Sequence, residues 1–148
     1  MQAGKAMKPY RILLVDDDEM LIRLLERTLQ KHGYHVETAV DGLDGLEKAL
    51  QIRPDLLVLD IVMPRMDGYE LCHRLKNHPA TADTPILSLT SLGSEGGPTL
   101  PIGNSEENIH AYRQQALAVG ANDFLPKPIM PQSLLNRIQM LTSPQETV

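Results

Sequence analysis

The sequence predicts an α/β protein: a doubly wound parallel sheet of five strands, each followed by a helix. Short apolar runs bounded by charged or turn-forming residues alternate with longer segments whose apolar residues recur at helical spacing. The alternation is strict, and parallel neighbours need crossover connections, which are helical here. The strand-like runs are apolar on both faces, as strands covered by helices on two sides must be. With 148 residues and 42% hydrophobic content the chain suits one ordinary domain that needs no disulfide or metal to build its core.

Arg11-Ile-Leu-Leu-Val15 is the first strand, a continuous apolar run ending in acids. The first helix spans Glu19 to Lys31, with Leu21, Leu24, Leu25, Thr28 and Leu29 on its apolar side; Lys31, His32 and Gly33 give a cationic last turn and a terminator. Tyr34 to Val40 reads as strand two. Asp41 then caps a short helix presenting Leu43, Leu46 and Leu50, although Gly42 and Gly45 weaken it. Pro54 punctuates before strand three, Leu56 to Leu59, which ends at Asp60, and a turn leads to a helix from about Asp67 to Asn77. Strand four, Ile86 to Thr90, follows Pro85. A helix from Ser105 to Val119 sets Ile109, Tyr112, Ala116 and Val119 on one face, and Gly120 closes it. Asp123 to Leu125 is strand five, and Pro131 opens a last helix with Leu134, Leu135, Ile138 and Leu141 inward. The domain is expected to run over 10–142, with 1–9 and 143–148 as flexible ends.

Composition excludes several functions. A net charge of -5 argues against direct nucleic-acid binding, which needs an excess of basic side chains. The lone Cys72 cannot form an internal bridge and reads as a small core side chain, which fits a reducing compartment. Met1 to Lys8 lack the apolar stretch of a signal peptide, and no run is long enough to span a membrane. The expectation is a soluble, cytoplasmic protein with no membrane partner. His32, His35, His73, His78 and His110 make no metal-binding spacing, and Ser91 with Gly93 forms neither a phosphate-binding loop nor a nucleophile elbow.

Ligands of such sheets bind beyond the carboxyl ends of the strands. There, strand one ends in Asp16-Asp17-Asp18, strand three in Asp60 and strand four in Thr90, while strand five runs into Lys127. Carboxylates gathered on one rim repel one another and raise each other's pKa unless a cation is bound, and oxygen ligands favour a hard ion such as Mg²⁺. A carboxylate to attack, a metal and an ammonium to neutralise charge, and a nearby hydroxyl to sense the product make a phosphoryl site.

Leu56-Leu-Val-Leu-Asp-Ile-Val-Met-Pro-Arg-Met-Asp-Gly68 resembles the phosphoacceptor segment of two-component response-regulator receivers, the CheY-like superfamily. Val15-Asp-Asp17, Thr90 and Lys127-Pro128 complete the resemblance, which covers about residues 10 to 142. It implies a flavodoxin-like fold with strand order 2-1-3-4-5. Asp60 would accept a phosphoryl group from a histidine kinase or histidine phosphotransfer protein. Asp17, Asp60 and the Val62 carbonyl would bind Mg²⁺ directly, with Asp16 assisting through water. Lys127 would contact the phosphoryl group, Thr90 would be the switch hydroxyl and Phe124 the switch aromatic. Such a chain is no enzyme acting on a separate substrate; its phosphotransfer and dephosphorylation are self-directed. The implied downstream partner is an effector protein or fused output domain, and the resemblance allows a homodimer through the face of the fourth helix, fifth strand and fifth helix.

Three features depart from the family pattern. Phe124 stands where many members carry Tyr, so a phenolic hydrogen bond is lost. The glycine- and proline-rich connection 91–104 is longer than usual and reads either as a phosphorylation-sensitive lid or as a tolerated insertion. Val62 and Leu92 occupy positions that often influence attack by water on the acyl phosphate, yet neither can orient water by hydrogen bonding. A small-molecule phosphatase using an aspartyl phosphate is the competing enzyme reading. It fits poorly, because the chain has no room for a cap domain and its acceptor ends strand three, outside any strand-one Asp-x-Asp-x-Thr pattern. A phosphorylation-independent scaffold fits poorly too, since every required side chain is present. Whether the chain is a stand-alone regulator or a receiver cut from a longer protein stays open.

Overall fold

A computed structural model describes residues 10–60, 68–91, 110, 113–114, 117–118 and 120–142. Strands β1 (Arg11–Val15), β2 (His35–Ala39), β3 (Leu56–Asp60), β4 (Ile86–Ser91) and β5 (Asp123–Lys127) form one sheet in the order β2-β1-β3-β4-β5. Every neighbouring pair is parallel, so all carboxyl ends lie along one rim. Helices α1 (Glu19–Lys31), α2 (Gly42–Ile52) and α3 (Gly68–Lys76) and a final helix (Pro131–Thr142) cover the sheet. Between β4 and β5, His110, Arg113, Gln114, Leu117 and Ala118 have helical backbone. That agrees with the predicted fourth helix; Ile109, Tyr112, Ala116 and Val119, its expected inner face, lie outside the described residues, as do 92–104 of the long connection.

Side chains alternate across a strand, and β1 divides the core accordingly. Ile12 and Leu14 pack with Ile22, Leu25 and Leu29 of α1 and with Leu134, Leu135 and Ile138 of the final helix. Leu13 and Val15 pack on the other face with Ala49 of α2 and with Leu71, Cys72 and Leu75 of α3. Cys72 is fully buried, as its single occurrence suggested.

Two helices present different faces from those expected. In α1 the buried stripe is Ile22, Leu25 and Leu29, and Leu24 is 48% exposed. Ile22 fits the three- and four-residue spacing to Leu25 and Leu29, while Leu24 falls beside that stripe. In α2 the buried positions are Gly42, Gly45 and Ala49, with Leu46 only partly buried and Leu43 out in solvent. The glycines that weaken the helix by propensity let it approach the sheet: a Cβ at Gly45 would meet Val15 Cγ1 at 3.0 Å and Leu71 Cδ2 at 3.4 Å. Asp41 is the cap expected, its side chain accepting from the Asp44 amide at 2.9 Å. Gly33 and Gly120 terminate helical segments with φ of 91° and 100°, a region glycine enters without a Cβ penalty. Strand β2 is one residue shorter at each end than predicted, and β5 continues to Lys127 through Pro126. A proline is tolerated there because β5 is an edge strand.

Candidate functional site

Register decides which strand ends meet. Val15 pairs with Leu59, so Asp16 and Asp60, each one residue further, leave neighbouring strands side by side. Asp60 pairs with Leu89, setting Thr90 one step beyond it, and Ser91 pairs with Lys127. Strand β5 is two strands from β3, roughly 10 Å at ordinary sheet spacing, which calls for a long side chain to bridge it. Lys127 does so: its Nζ lies 3.4 Å from Asp60 Oδ2 and 3.0 Å from Asp16 Oδ2. The peptide bond after it, to Pro128, is cis.

Carboxylate oxygens of Asp16, Asp17 and Asp60 all lie within 4.8 Å of one another. Asp16 and Asp60 are buried, at 2% and 4% exposure, whereas Asp17 is open to solvent. Asp18, the fourth acid singled out by the sequence, does a different job. Its side chain caps α1 by accepting from the Leu21 amide at 3.2 Å, and its own amide donates to Asp16 Oδ1 at 2.9 Å. The cap thus orients Asp16, leaving Oδ2 turned toward Lys127.

Electrostatics at this cluster are unbalanced. Burial pushes the Asp16 carboxyl pKa up, against the opposing pull of the Asp18 amide and Lys127. Burial also pulls at Lys127 in the direction of deprotonation, but the two carboxylates beside it outweigh that and its pKa ends up raised. Although Lys127 approaches Asp16 Oδ2 as an ion pair, the contact lacks hydrogen-bond alignment, and that buried oxygen has no hydrogen-bond partner. A buried carboxylate oxygen left this way, beside two more carboxylates, fits a hard divalent cation with oxygen ligands.

Of the other residues named from sequence, Phe124 is in β5 and 3% exposed. Thr90 is placed by its backbone alone, opposite Pro126. Val62 and Leu92 lie outside the described residues. Sequence reasoning missed three contacts: the direct Lys127–Asp16 pair, the Arg137 Nη1 bond to Asp123 Oδ2 at 2.6 Å, and the Arg113 guanidinium 5.6 Å from the Phe124 ring centroid. Nothing in the local pattern around Arg113 or Arg137 signals a partner on β5; only the packing does.

The chain belongs to the response regulator receiver domain family, whose model matches residues 12–139. It is a receiver domain of the kind found in two-component response regulators, a family of phosphoacceptor switches distinct from classical enzymes that binds Mg²⁺ at an acidic pocket. It is 40% identical over 132 residues to the response regulator PleD of Caulobacter vibrioides, covering 89% of this chain and 26% of that protein. It is 42% identical over 131 residues to the response regulator MprA of Mycobacterium leprae, covering 88% and 50%. The DNA-binding dual master transcriptional regulator RpaA of Synechocystis is 37% identical over 131 residues, covering 88% and 48%. The chain therefore spans about half or less of the length of these relatives. Among solved structures, the chemotaxis response regulator CheY4 of Vibrio cholerae superposes with a TM-score of 0.75 at 34% identity, covering 90% of this chain and 99% of that one. The receiver domain of sensor histidine kinase PA1611 of Pseudomonas aeruginosa, with a magnesium ion coordinated in its active-site cleft, gives 0.72 at 27% identity, covering 90% and 98%.

Proposed function

We propose that Asp60 is the phosphoacceptor of this receiver. The observation that carries the reading is the convergence of Lys127 Nζ and the Asp16, Asp17 and Asp60 carboxylates at one rim. Asp60 attacks phosphorus in line, the bond from phosphorus to the donor histidine nitrogen breaks, and the imidazole leaves with its electron pair. Lys127 holds a phosphoryl oxygen and stabilises charge as it develops there. Asp17, Asp60 and the Val62 carbonyl would hold Mg²⁺, with Asp16 acting through water. When bound, the ion neutralises charge on the transferring group. The buried Asp16 Oδ2, which has no hydrogen-bond partner, and the magnesium reported for the PA1611 receiver both support this assignment.

Thr90 is the switch hydroxyl and Phe124 the switch aromatic. The roughly −1.5 to −2 charge of a new phosphoryl group favours whichever state brings Thr90 to it. The donor is a histidine kinase or histidine phosphotransfer protein. The output is an effector or a fused domain, and a homodimer would use the face around β5. The receiver unit is taken as 10–142 and its location as cytoplasmic; among the described residues no helix is long and apolar enough to cross a membrane.

Intact mass after incubation with a small-molecule phosphodonor tests this. We expect one phosphoryl adduct on the wild type with Mg²⁺, none with chelator, and none on Asp60→Asn. An undiminished adduct on Asp60→Asn would place the acceptor elsewhere. No adduct under any condition would leave an assembled but inactive site.

A further inference from the structure

Phe124 is the one phenylalanine in the chain, and the structure holds its backbone and its ring by separate means. Its amide donates to Asp123 Oδ1 at 2.8 Å, and its carbonyl accepts from Arg137 Nη1 at 3.2 Å. Arg137 is itself fixed by Asp123 at 2.6 Å. With the backbone tied at both polar groups, the freedom left to the residue is rotation of its side chain. Room for that rotation exists: a cleft of about 540 Å³ opens beside the ring, with Arg113, Leu117, Arg137 and Met140 on its walls. On β4, directly across from Phe124, stands the small Ser88, whose buried Oγ has no hydrogen-bond partner and gives the ring nothing to align on. Among the described residues, the ring makes a directional contact with Arg113, whose guanidinium lies 5.6 Å from its centroid, within the range at which the negative face of an aromatic attracts a cation.

We infer that Arg113 is a positioning residue of the switch: its guanidinium, stacked on Phe124, holds the ring in the buried orientation that accompanies phosphorylation. This rests on the phosphoacceptor reading above. On that reading Thr90 moves toward the phosphoryl group and leaves space beside β5, which the inward ring fills. A contact made only to the inward ring stabilises that state, and a group that favours one state of a two-state protein raises affinity for whatever selects it. Arg113 thereby supplies for phenylalanine an orienting polar contact that a tyrosine would make through its hydroxyl. Arg113 reaches β5 from the sheet face that carries α2 and α3, and Arg137 from the face that carries α1 and the final helix, so β5 is gripped from both sides.

Because there is one phenylalanine, incorporating 4-fluorophenylalanine gives a single ¹⁹F resonance that reports the ring. Fluoroberyllate with Mg²⁺, a stable phosphoryl mimic, is titrated in the same samples and followed by calorimetry. Arg113→Ala should move the free-state resonance toward that of a solvent-exposed ring and raise the half-saturating fluoroberyllate concentration about two- to fivefold, the range a surface cation–π contact supports. Arg113→Lys, which keeps the charge, should recover part of the loss. In a Phe124→Leu background Arg113→Ala should have no further effect on the titration. An unchanged resonance and affinity in Arg113→Ala would overturn the inference, and so would an equal loss in the Phe124→Leu background, which would make Arg113 a distant charge. If the wild type itself fails to bind fluoroberyllate, the phosphoacceptor reading falls and this inference with it. Wild-type saturation with an indifferent Arg113→Ala sinks this inference alone.

Discussion

Asp16 is buried, and the Asp18 amide and Lys127 only partly offset the cost of burying its charge. Its folded-state pKa is raised, so the folded protein holds that proton more tightly than the unfolded chain does. Stability is therefore lost as pH rises from about 3.8 through the raised value, and the cost persists above that value in metal-free protein. Replacing Asp16 by Asn should raise metal-free stability at pH 7 by about 1 kcal/mol, a shift of a few degrees in thermal midpoint. That advantage should shrink as pH falls through the raised folded-state value and wild-type Asp16 gains its proton. Thermal melts in chelator across that range check it, and a destabilised Asn variant at pH 7 would show that the Lys127 pair dominates. The turnover positions belong to the same scale. Val62 and Leu92 offer no group to orient water, so the phosphoryl adduct should decay slowly, and Val62→Asn or Leu92→Glu should hydrolyse it faster. Adduct lifetime by mass spectrometry measures this; unchanged lifetimes in both variants would refute it.

Helix α2 shows how an element can serve the site without contributing a side chain to it. Gly45 lets α2 lie against Val15, the residue immediately before Asp16. Gly45→Ala would gain about 1 kcal/mol of helix propensity, but its methyl would sit 3.0 and 3.1 Å from the two Val15 Cγ atoms. Overpacking in a closed core costs about 1 to 3 kcal/mol, and Val15 lies in register between Ala39 of β2 and Leu59 of β3. The net expectation is destabilisation by about 1 kcal/mol and slower adduct formation, because the strain falls where β1 delivers Asp16 and Asp17. Chemical denaturation and phosphorylation rate together test it. A variant that is more stable and equally fast would mean that α2 can shift without disturbing the rim.

At the scale of the molecule, one sheet carries Asp16, Asp17, Asp60 and Lys127 to one rim, so ligand binding there couples to the stability of the whole domain. Anything that binds only the folded state adds RT ln(1 + [L]/Kd), about 2.7 kcal/mol at a hundredfold excess over Kd. Mg²⁺ with fluoroberyllate should therefore raise the thermal midpoint by several degrees in wild type, and Asp60→Asn should lose that rise. A rise of equal size in Asp60→Asn would indicate binding away from the proposed acceptor. The open edge of β5 is managed at this scale as well. Its Phe124 amide and carbonyl are occupied by Asp123 and Arg137, which blunts the edge against pairing with another strand.

The five-strand alternation, the parallel sheet and the acids at the carboxyl ends were legible in the sequence. Apolar runs in Ile12–Val15, Leu56–Leu59 and Ile86–Leu89 are local signals, and the position of Asp60 or Lys127 at the end of such a run follows from chain order alone. Helix faces were legible where a branched stripe marks them, as in the final helix. They were misread in α2, where burial belongs to Gly42, Gly45 and Ala49 and is set by how closely the helix lies on the sheet. What only the tertiary structure decided are meetings between residues far apart in the chain: Lys127 with Asp16 as well as Asp60, Asp18 turned aside as a helix cap, and Arg113 over Phe124. The physical reason is that hydrophobic periodicity encodes which elements form and which way they face, whereas these contacts depend on strand register, side-chain reach and the gap between packed layers, none of which is written within a single segment.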